Sequence, residues 1–157
     1  MAENKFTLNS NSPAETVSFA EKFADLLEIP ALILLKGELG TGKTLIIKAA
    51  ASALGCKEEV TSPTFNLIQE YRADIKIIHM DLYRLDRSEE LLEIGFEDYL
   101  NRKAVIFIEW PEIALSLLPA DFIFINIEKI AEAKRKITVR GEGKKTQRLI
   151  ERLNKEC

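Results

Sequence analysis

Gly37-Glu38-Leu39-Gly40-Thr41-Gly42-Lys43-Thr44 decides the fold. The stretch satisfies G-x-x-x-x-G-K-[ST] at every fixed position. Its flanks matter more than the pattern. Ala31-Leu32-Ile33-Leu34-Leu35, a continuous apolar run after Pro30, reads as a buried strand. Leu45 to Leu54 is rich in Ala, Leu and Ile, lacks Gly and Pro, and reads as a helix ended by Gly55. Strand, glycine loop and helix form the context in which such a loop binds phosphate; the plain alternative is a glycine-rich turn. Gly37, Gly40 and Gly42 let backbone N–H groups from Glu38 through Leu45 turn inward onto phosphate oxygens. The helix N-terminus adds partial positive charge. Lys43 reaches the β- and γ-phosphates, and the Thr44 hydroxyl suits Mg²⁺, a hard cation.

Working outward, Ala104-Val105-Ile106-Phe107-Ile108-Glu109 runs five apolar residues directly into an acid. A carboxylate ending a buried strand needs a compensating partner, and a metal held jointly with Thr44 supplies one; a structural ion pair is the alternative. Trp110, before Pro111, either shields this site or packs. Ile75 to Met80 reads as another strand, closed by Asp81. Ligands of open α/β sheets lie outside the carboxyl ends of strands, so Asp81 is a candidate for positioning metal or water, or else a cap or partner of Arg84. His79, the single histidine, reads as a hydrogen-bonded core residue rather than a catalyst.

The remaining chain supplies a frame. Ser12-Pro13-Ala14-Glu15 has the form of a capping box opening a helix to about Leu27, with Val17, Ala20, Phe23, Ala24 and Leu27 on its inner face. Ser12 is a cap or a ligand contact. Ser62-Pro63 marks a turn, and Phe65 to Tyr71 alternates like a half-exposed strand. Ser88 reads as the cap of a short helix ending near Gly95. Phe96 to Leu100 reads as a turn or short helix, and Glu112 to Leu118 as a short helix. Asp121 to Ile127 and Lys134 to Arg140 read as strands, and Thr146 to Asn154 as a closing helix with Leu149, Ile150 and Leu153 inward. The basic run at Lys134-Arg135-Lys136 is a solvated face, or places Arg135 near a nucleotide. No helix separates the runs between Phe65 and Met80, so part of the sheet is expected to be antiparallel. The expected fold is α/β, a P-loop NTPase-like mixed parallel/antiparallel sheet with helices on both faces. It forms one domain over residues 1–157, with a short mobile tail after about 153.

Composition narrows the function. The chain has 157 residues, 46% hydrophobic and 30% charged, with net charge −3. That balance suits one soluble domain and gives no global basic footprint for nucleic acid. No apolar run approaches the roughly 20 residues of a membrane span. The N-terminus lacks the apolar core of a signal peptide, and Cys56 and Cys157 have no metal or redox spacing, so the expected compartment is the cytoplasm.

Five stretches together carry a resemblance. They are the phosphate loop, Ser62-Pro63-Thr64-Phe65, His79-Met80-Asp81-Leu82-Tyr83-Arg84-Leu85, Glu89-Glu90-Leu91 and Ile108-Glu109-Trp110-Pro111. In order and spacing, from about Ser12 to Arg140, the chain resembles the TsaE (YjeE) family of bacterial tRNA threonylcarbamoyladenosine synthesis. The resemblance implies an ATPase binding ATP or ADP with Mg²⁺ and working with TsaD- and TsaB-type partners; with no recognisable arginine finger in the sequence, hydrolysis is expected to be slow alone and raised by those partners. That complex modifies adenosine 37 of tRNAs reading ANN codons, so tRNA is met indirectly and the ATPase does not itself transfer the group. The resemblance further implies that Lys43 binds phosphate, that Thr44 and Glu109 hold Mg²⁺, and that Asp81 positions metal or water. Ser62 and Thr64 fall in a switch-like loop, and Arg135 lies near the nucleotide. The chain carries Lys134-Arg135 where many members have Gly-Arg, and Leu45 where many have a second hydroxyl. A small-molecule kinase and a nucleotide-gated binding module use the same loop. The kinase reading is disfavoured because no arginine-rich lid segment follows the loop.

Overall fold

The computed structural model describes residues 4–38, 40–61, 63 and 67–157. Its elements run β1 (Phe6–Ser10), α1 (Pro13–Asp25), β2 (Ala31–Lys36), α2 (Lys43–Ala53), β3 (Ile68–Tyr71), β4 (Lys76–Asp81), α3 (Glu89–Glu93), α4 (Phe96–Leu100), β5 (Ala104–Glu109), a 3₁₀ segment (Pro111–Leu117), β6 (Phe122–Lys129), β7 (Arg135–Glu142) and α5 (Lys144–Glu156). The seven strands form one sheet in the order β1-β7-β6-β2-β5-β4-β3. Its centre is parallel: β2 pairs with β5 and β6, and β4 with β5. The flanks are antiparallel, β3 on β4 at one side and β7 between β6 and β1 at the other. The antiparallel β3–β4 ribbon agrees with the uninterrupted run to Met80. Pairing of β1 with β7 at the opposite edge has no signal in the local pattern, because it joins segments about 130 residues apart.

Two cores follow from strand alternation. One face packs Ile33, Leu35, Ile77, Val105, Phe107, Ile125 and Val139 against α1, α2 and α5 through Phe23, Ile47 and Ile150. The other packs Leu34, Ile78, Met80, Ile106 and Ile108 against α3, α4 and the 3₁₀ segment through Leu91, Phe96 and Ala114. Both strands flanking the phosphate loop's axis, β2 and β5, are buried on both faces, so their sequences read as unbroken apolar runs.

Three sequence readings need correction. Helix α1 buries Thr16, Phe19, Ala20, Phe23 and Ala24, whereas Val17 and Leu27 are only half-buried at its margin. Thr16 is polar yet belongs inside because its hydroxyl meets that of Ser10 at 2.7 Å. Ser88 is not a side-chain cap: it is helical at φ −62° and its hydroxyl makes no capping bond. Helix α5 continues to Glu156. The strand expected from Phe65 begins at Ile68, and Phe65 and Asn66 lie outside the described residues. Among the described residues, no helix is long and apolar enough to cross a membrane.

Candidate functional site

Chain direction places the site. Strands β2, β4, β5 and β6 are parallel and end at one edge of the sheet, where β7 begins and β1 ends, with Ser10 opposite Arg135. The described part of the loop 37–44, Asp81, Glu109, Ser12 and Arg135 are therefore delivered to one edge from five strands, β2, β4, β5, β1 and β7. Leu39, Ser62 and Thr64 lie outside the described residues.

The loop's shape depends on close approach and on backbone hand. A methyl on Gly37 would sit 2.6 Å from Thr41 Oγ1 and 2.8 Å from the Ile127 carbonyl oxygen, so only glycine fits between β2 and β6 there. Gly42 precedes α2 at φ 112°, a conformation side-chain-bearing residues rarely adopt. Thr41 donates its hydroxyl proton to the Glu38 carbonyl at 2.8 Å, and its N–H bonds the same oxygen at 3.3 Å, closing the turn. Thr44 and Leu45 follow Lys43 in the first turn of α2, both half-buried.

Lys43 is buried, with 5% of its surface exposed. Its ammonium donates to the Gly37 carbonyl at 2.7 Å and lies 3.9 Å from the centre of the Trp110 ring. Burial pushes its pKa down, while the charges of Glu109, Asp81 and Glu112 oppose that shift. Trp110 adopts φ 54°, the single non-glycine positive φ among the described residues, and also packs on Tyr83 with ring centres 5.0 Å apart. Such backbone strain needs surroundings that over-determine it. Here it holds the indole as a lid on the Lys43 ammonium, so Trp110 shields the site rather than filling the core.

Two carboxylates face this lysine. Asp81 and Glu109 stand opposite each other in the β4–β5 register, and Glu109 is also opposite Leu35 of β2. Asp81 Oδ1 accepts the Tyr83 N–H at 3.1 Å, which turns the chain out of β4. Burial raises its pKa, the Tyr83 bond opposes the shift, and the Glu109 charge adds to it. Glu109 is buried, and its Oε2 lies 2.7 Å from His79 Nε2. The sequence pattern finds both acids. His79 is the hydrogen-bonded core residue expected, but the pattern does not name Glu109 as its partner; two residues of separation from Asp81 on a strand, hence the same face, is the signal that was available.

Ser12 and Arg135 hold the frame. Ser12 Oγ accepts the Glu15 N–H at 3.2 Å, and the Glu15 carboxylate accepts the Asn11 N–H at 2.7 Å, a capping box shifted by one residue. Arg135 donates Nε to the Thr41 carbonyl at 2.9 Å and an Nη2 proton to that of Gly40 at 3.4 Å. Its Nη1 donates to the carbonyls of Ala131, Glu132 and Lys134 at 3.0–3.1 Å. One guanidinium thus ties the β6–β7 turn to the phosphate loop, a task for which its planar fork suits it.

The donors at this edge fit Mg²⁺. The Thr44 hydroxyl and the two carboxylates are all oxygen, and few protein ligands suit an ion that keeps waters and takes phosphate oxygens. Among the described residues no group of three or more His, Cys, Asp or Glu gathers into a protein-made cage.

A loop built this way, at the end of a parallel strand beside two strand-end acids, defines a P-loop nucleotide-binding α/β protein. The profile of the family described as "Threonylcarbamoyl adenosine biosynthesis protein TsaE" matches residues 10–137, and the chain belongs to that family. It is 37% identical over 130 residues to the tRNA threonylcarbamoyladenosine biosynthesis protein TsaE of Treponema pallidum, covering 83% of this chain and 96% of that one. Its identity to the protein of the same name from Rickettsia typhi is 39% over 135 residues (85% and 93%). With that of Bacillus subtilis it is 32% over 145 residues (92% and 90%). The crystal structure of YdiB from Bacillus subtilis superposes with a TM-score of 0.79 at 29% identity, covering 99% of this chain and 97% of that one.

Proposed function

We propose that the chain is the Mg²⁺-dependent ATPase of tRNA threonylcarbamoyladenosine formation, acting with TsaD- and TsaB-type proteins without transferring the group itself. The carrying observation is the meeting of the phosphate loop with Asp81 and Glu109 in register at one sheet edge. In this reading, backbone N–H groups of Glu38 through Leu45 cradle the phosphates. Lys43 exchanges its bond to the Gly37 carbonyl for the β- and γ-phosphates, and is kept close to them beneath Trp110. Thr44 and Glu109 would hold Mg²⁺ beside Asp81, where it neutralises charge developing on the phosphates. Asp81, its carboxylate fixed by Tyr83 N–H, orients the attacking water. Ser12 caps α1 just past the end of β1, at the same sheet edge. Arg135 acts on the nucleotide through the loop backbone that it holds. Arg135 spends its bonds on carbonyls and so is not itself committed to phosphate, and a partner supplying or ordering an arginine accelerates hydrolysis.

The test is ATP hydrolysis by the purified chain, with and without TsaD- and TsaB-type proteins, in Mg²⁺ and in EDTA. Slow Mg²⁺-dependent turnover that rises with the partners is expected. Fast turnover alone, or turnover indifferent to Mg²⁺, refutes the reading.

A further inference from the structure

We propose that His79 is a positioning residue for Glu109, fixing the carboxylate that faces the metal; the proposal rests on the assignment of Glu109 just made. His79 and Glu109 sit on the same face of the sheet, on adjacent strands β4 and β5, one register step apart. Both are buried, the imidazole completely. Nε2 lies 2.7 Å from Oε2, the length of a strong charge-assisted bond. A carboxylate that binds a metal can only accept, so in this role it takes its bond from an Nε2–H.

The other ring nitrogen argues against a purely structural role. Nδ1 is buried and, among the described residues, has no hydrogen-bond partner. Flanked in register by Phe107 on one side and Gln69 on the other, this position would pack an apolar side chain without leaving a buried polar atom unmatched. What the imidazole provides that a leucine does not is the single Nε2–H aimed at Oε2. A glutamate at a strand end has three side-chain torsions, and a metal ligand must be held in one of their combinations. Donors of this kind orient ligating carboxylates, and their loss typically reduces metal affinity or activity about 10- to 100-fold. His79 therefore acts through Glu109, in register with Asp81, without touching nucleotide itself.

The experiment compares nucleotide affinity in Mg²⁺ and in EDTA. The readout is emission of Trp110, the sole tryptophan, whose ring covers Lys43, on titration with ADP and a non-hydrolysable ATP analogue. The proteins are wild type, His79→Leu, His79→Gln, Glu109→Gln, and His79→Leu with Glu109→Gln. His79→Leu is expected to lose about 10-fold or more of the Mg²⁺-dependent gain. EDTA-state ADP affinity should stay within about 2-fold, and kcat should fall with KM little changed. His79→Gln keeps an N–H donor and should recover most of the gain. In the Glu109→Gln background, His79→Leu should add nothing, since its effect passes through that carboxylate. If His79→Leu does not fold, His79→Asn replaces it: the shorter amide draws the donor back from Oε2, and the same loss is expected. Equal losses with and without Mg²⁺, additive effects in the double variant, or an unchanged Mg²⁺ gain overturn the proposal. If Glu109→Gln itself leaves the Mg²⁺ gain intact, the metal assignment fails first. If Glu109→Gln abolishes the gain while His79→Leu does not, the role of His79 fails alone.

Discussion

Replacing Gly37 with alanine should damage the site by contact alone. The added methyl meets two oxygens at once, Thr41 Oγ1 at 2.6 Å and the Ile127 carbonyl at 2.8 Å. The first can rotate away, but only by giving up its bond to the Glu38 carbonyl, a loss of about 1 kcal/mol. The second is backbone in β6, paired on one side with β2 and on the other with β7, and has no rotamer to change. Relief must come from moving the loop away from β6. Forced overpacking of this kind costs about 1–3 kcal/mol. At roughly 2–4 °C per kcal/mol for a chain of this size, melting falls by roughly 2–12 °C. The moved loop takes with it the Gly37 carbonyl that Lys43 bonds, so ADP affinity should fall further than stability alone implies. Differential scanning fluorimetry without nucleotide and a Trp110 emission titration with ADP measure the two effects on one protein. Melting and affinity both equal to wild type would refute the reasoning, because they would mean that β6 yields freely.

Lys43→Ala removes the ammonium beneath Trp110 and the charge for the phosphates; ADP should bind at least about 10-fold more weakly, about 1.4 kcal/mol, in the same titration. Arg135→Ala cuts the tie between the β6–β7 turn and the loop, with about 1.5–3 kcal/mol lost for the charged hydrogen bonds in chemical denaturation. Arg135→Lys should not restore it, since one ammonium cannot reach both sets of carbonyls. The exposed pair Arg148–Glu28, bidentate at 2.8 Å, joins α5 to the turn before β2, and it holds the Glu28 carboxyl below its ordinary 4.5. A depressed carboxylate adds stability above its unfolded pKa and loses it as pH falls through the folded one. Arg148→Ala should therefore lower the melting temperature slightly at pH 7 and not at all once Glu28 is protonated well below pH 4.5, read by melting curves against pH.

What the sequence made legible was local. The glycine loop, the apolar run into Glu109 and the run into Asp81 each carry strand, turn and chemistry within a few residues, and all three stand where they were expected. The inner faces of α5 read correctly because Leu149, Ile150 and Leu153 repeat at helical spacing. The failures have two causes, local conformation and near neighbours that periodicity does not mark, and partners far apart in sequence. Thr16 is buried because Ser10 accepts it, and Ser88 fails to cap because its backbone is already helical. Arg135 looked like a solvated charge or a nucleotide ligand because its acceptors, the Gly40 and Thr41 carbonyls, lie 95 and 94 residues away. The imidazole of His79 gave no periodic signal for a bond 30 residues distant.

The antiparallel flanks explain why Arg135 meets the phosphate loop, and the parallel β4–β5 pairing why His79 meets Glu109. A wholly parallel sheet would bring to the ligand edge only the loops that follow strands. Reversal at the β6–β7 hairpin lets β7 begin at that edge, so its first residue, Arg135, reaches the phosphate loop without a crossover helix. Pairing β1 against β7 then points β1 back toward the same edge and sets Ser10 beside Arg135, with the Ser12 cap of α1 two residues on. On the other side, β3 reversed against β4 pairs Gln69 with His79, closing the strand that carries both His79 and Asp81. The parallel centre thus presents the loop, the acids and the His79 that meets Glu109, while the reversed strand β7 brings Arg135 onto the loop. Hence the residues most exposed to misreading, Arg135 and His79, are the ones whose function depends on topology rather than on neighbouring sequence.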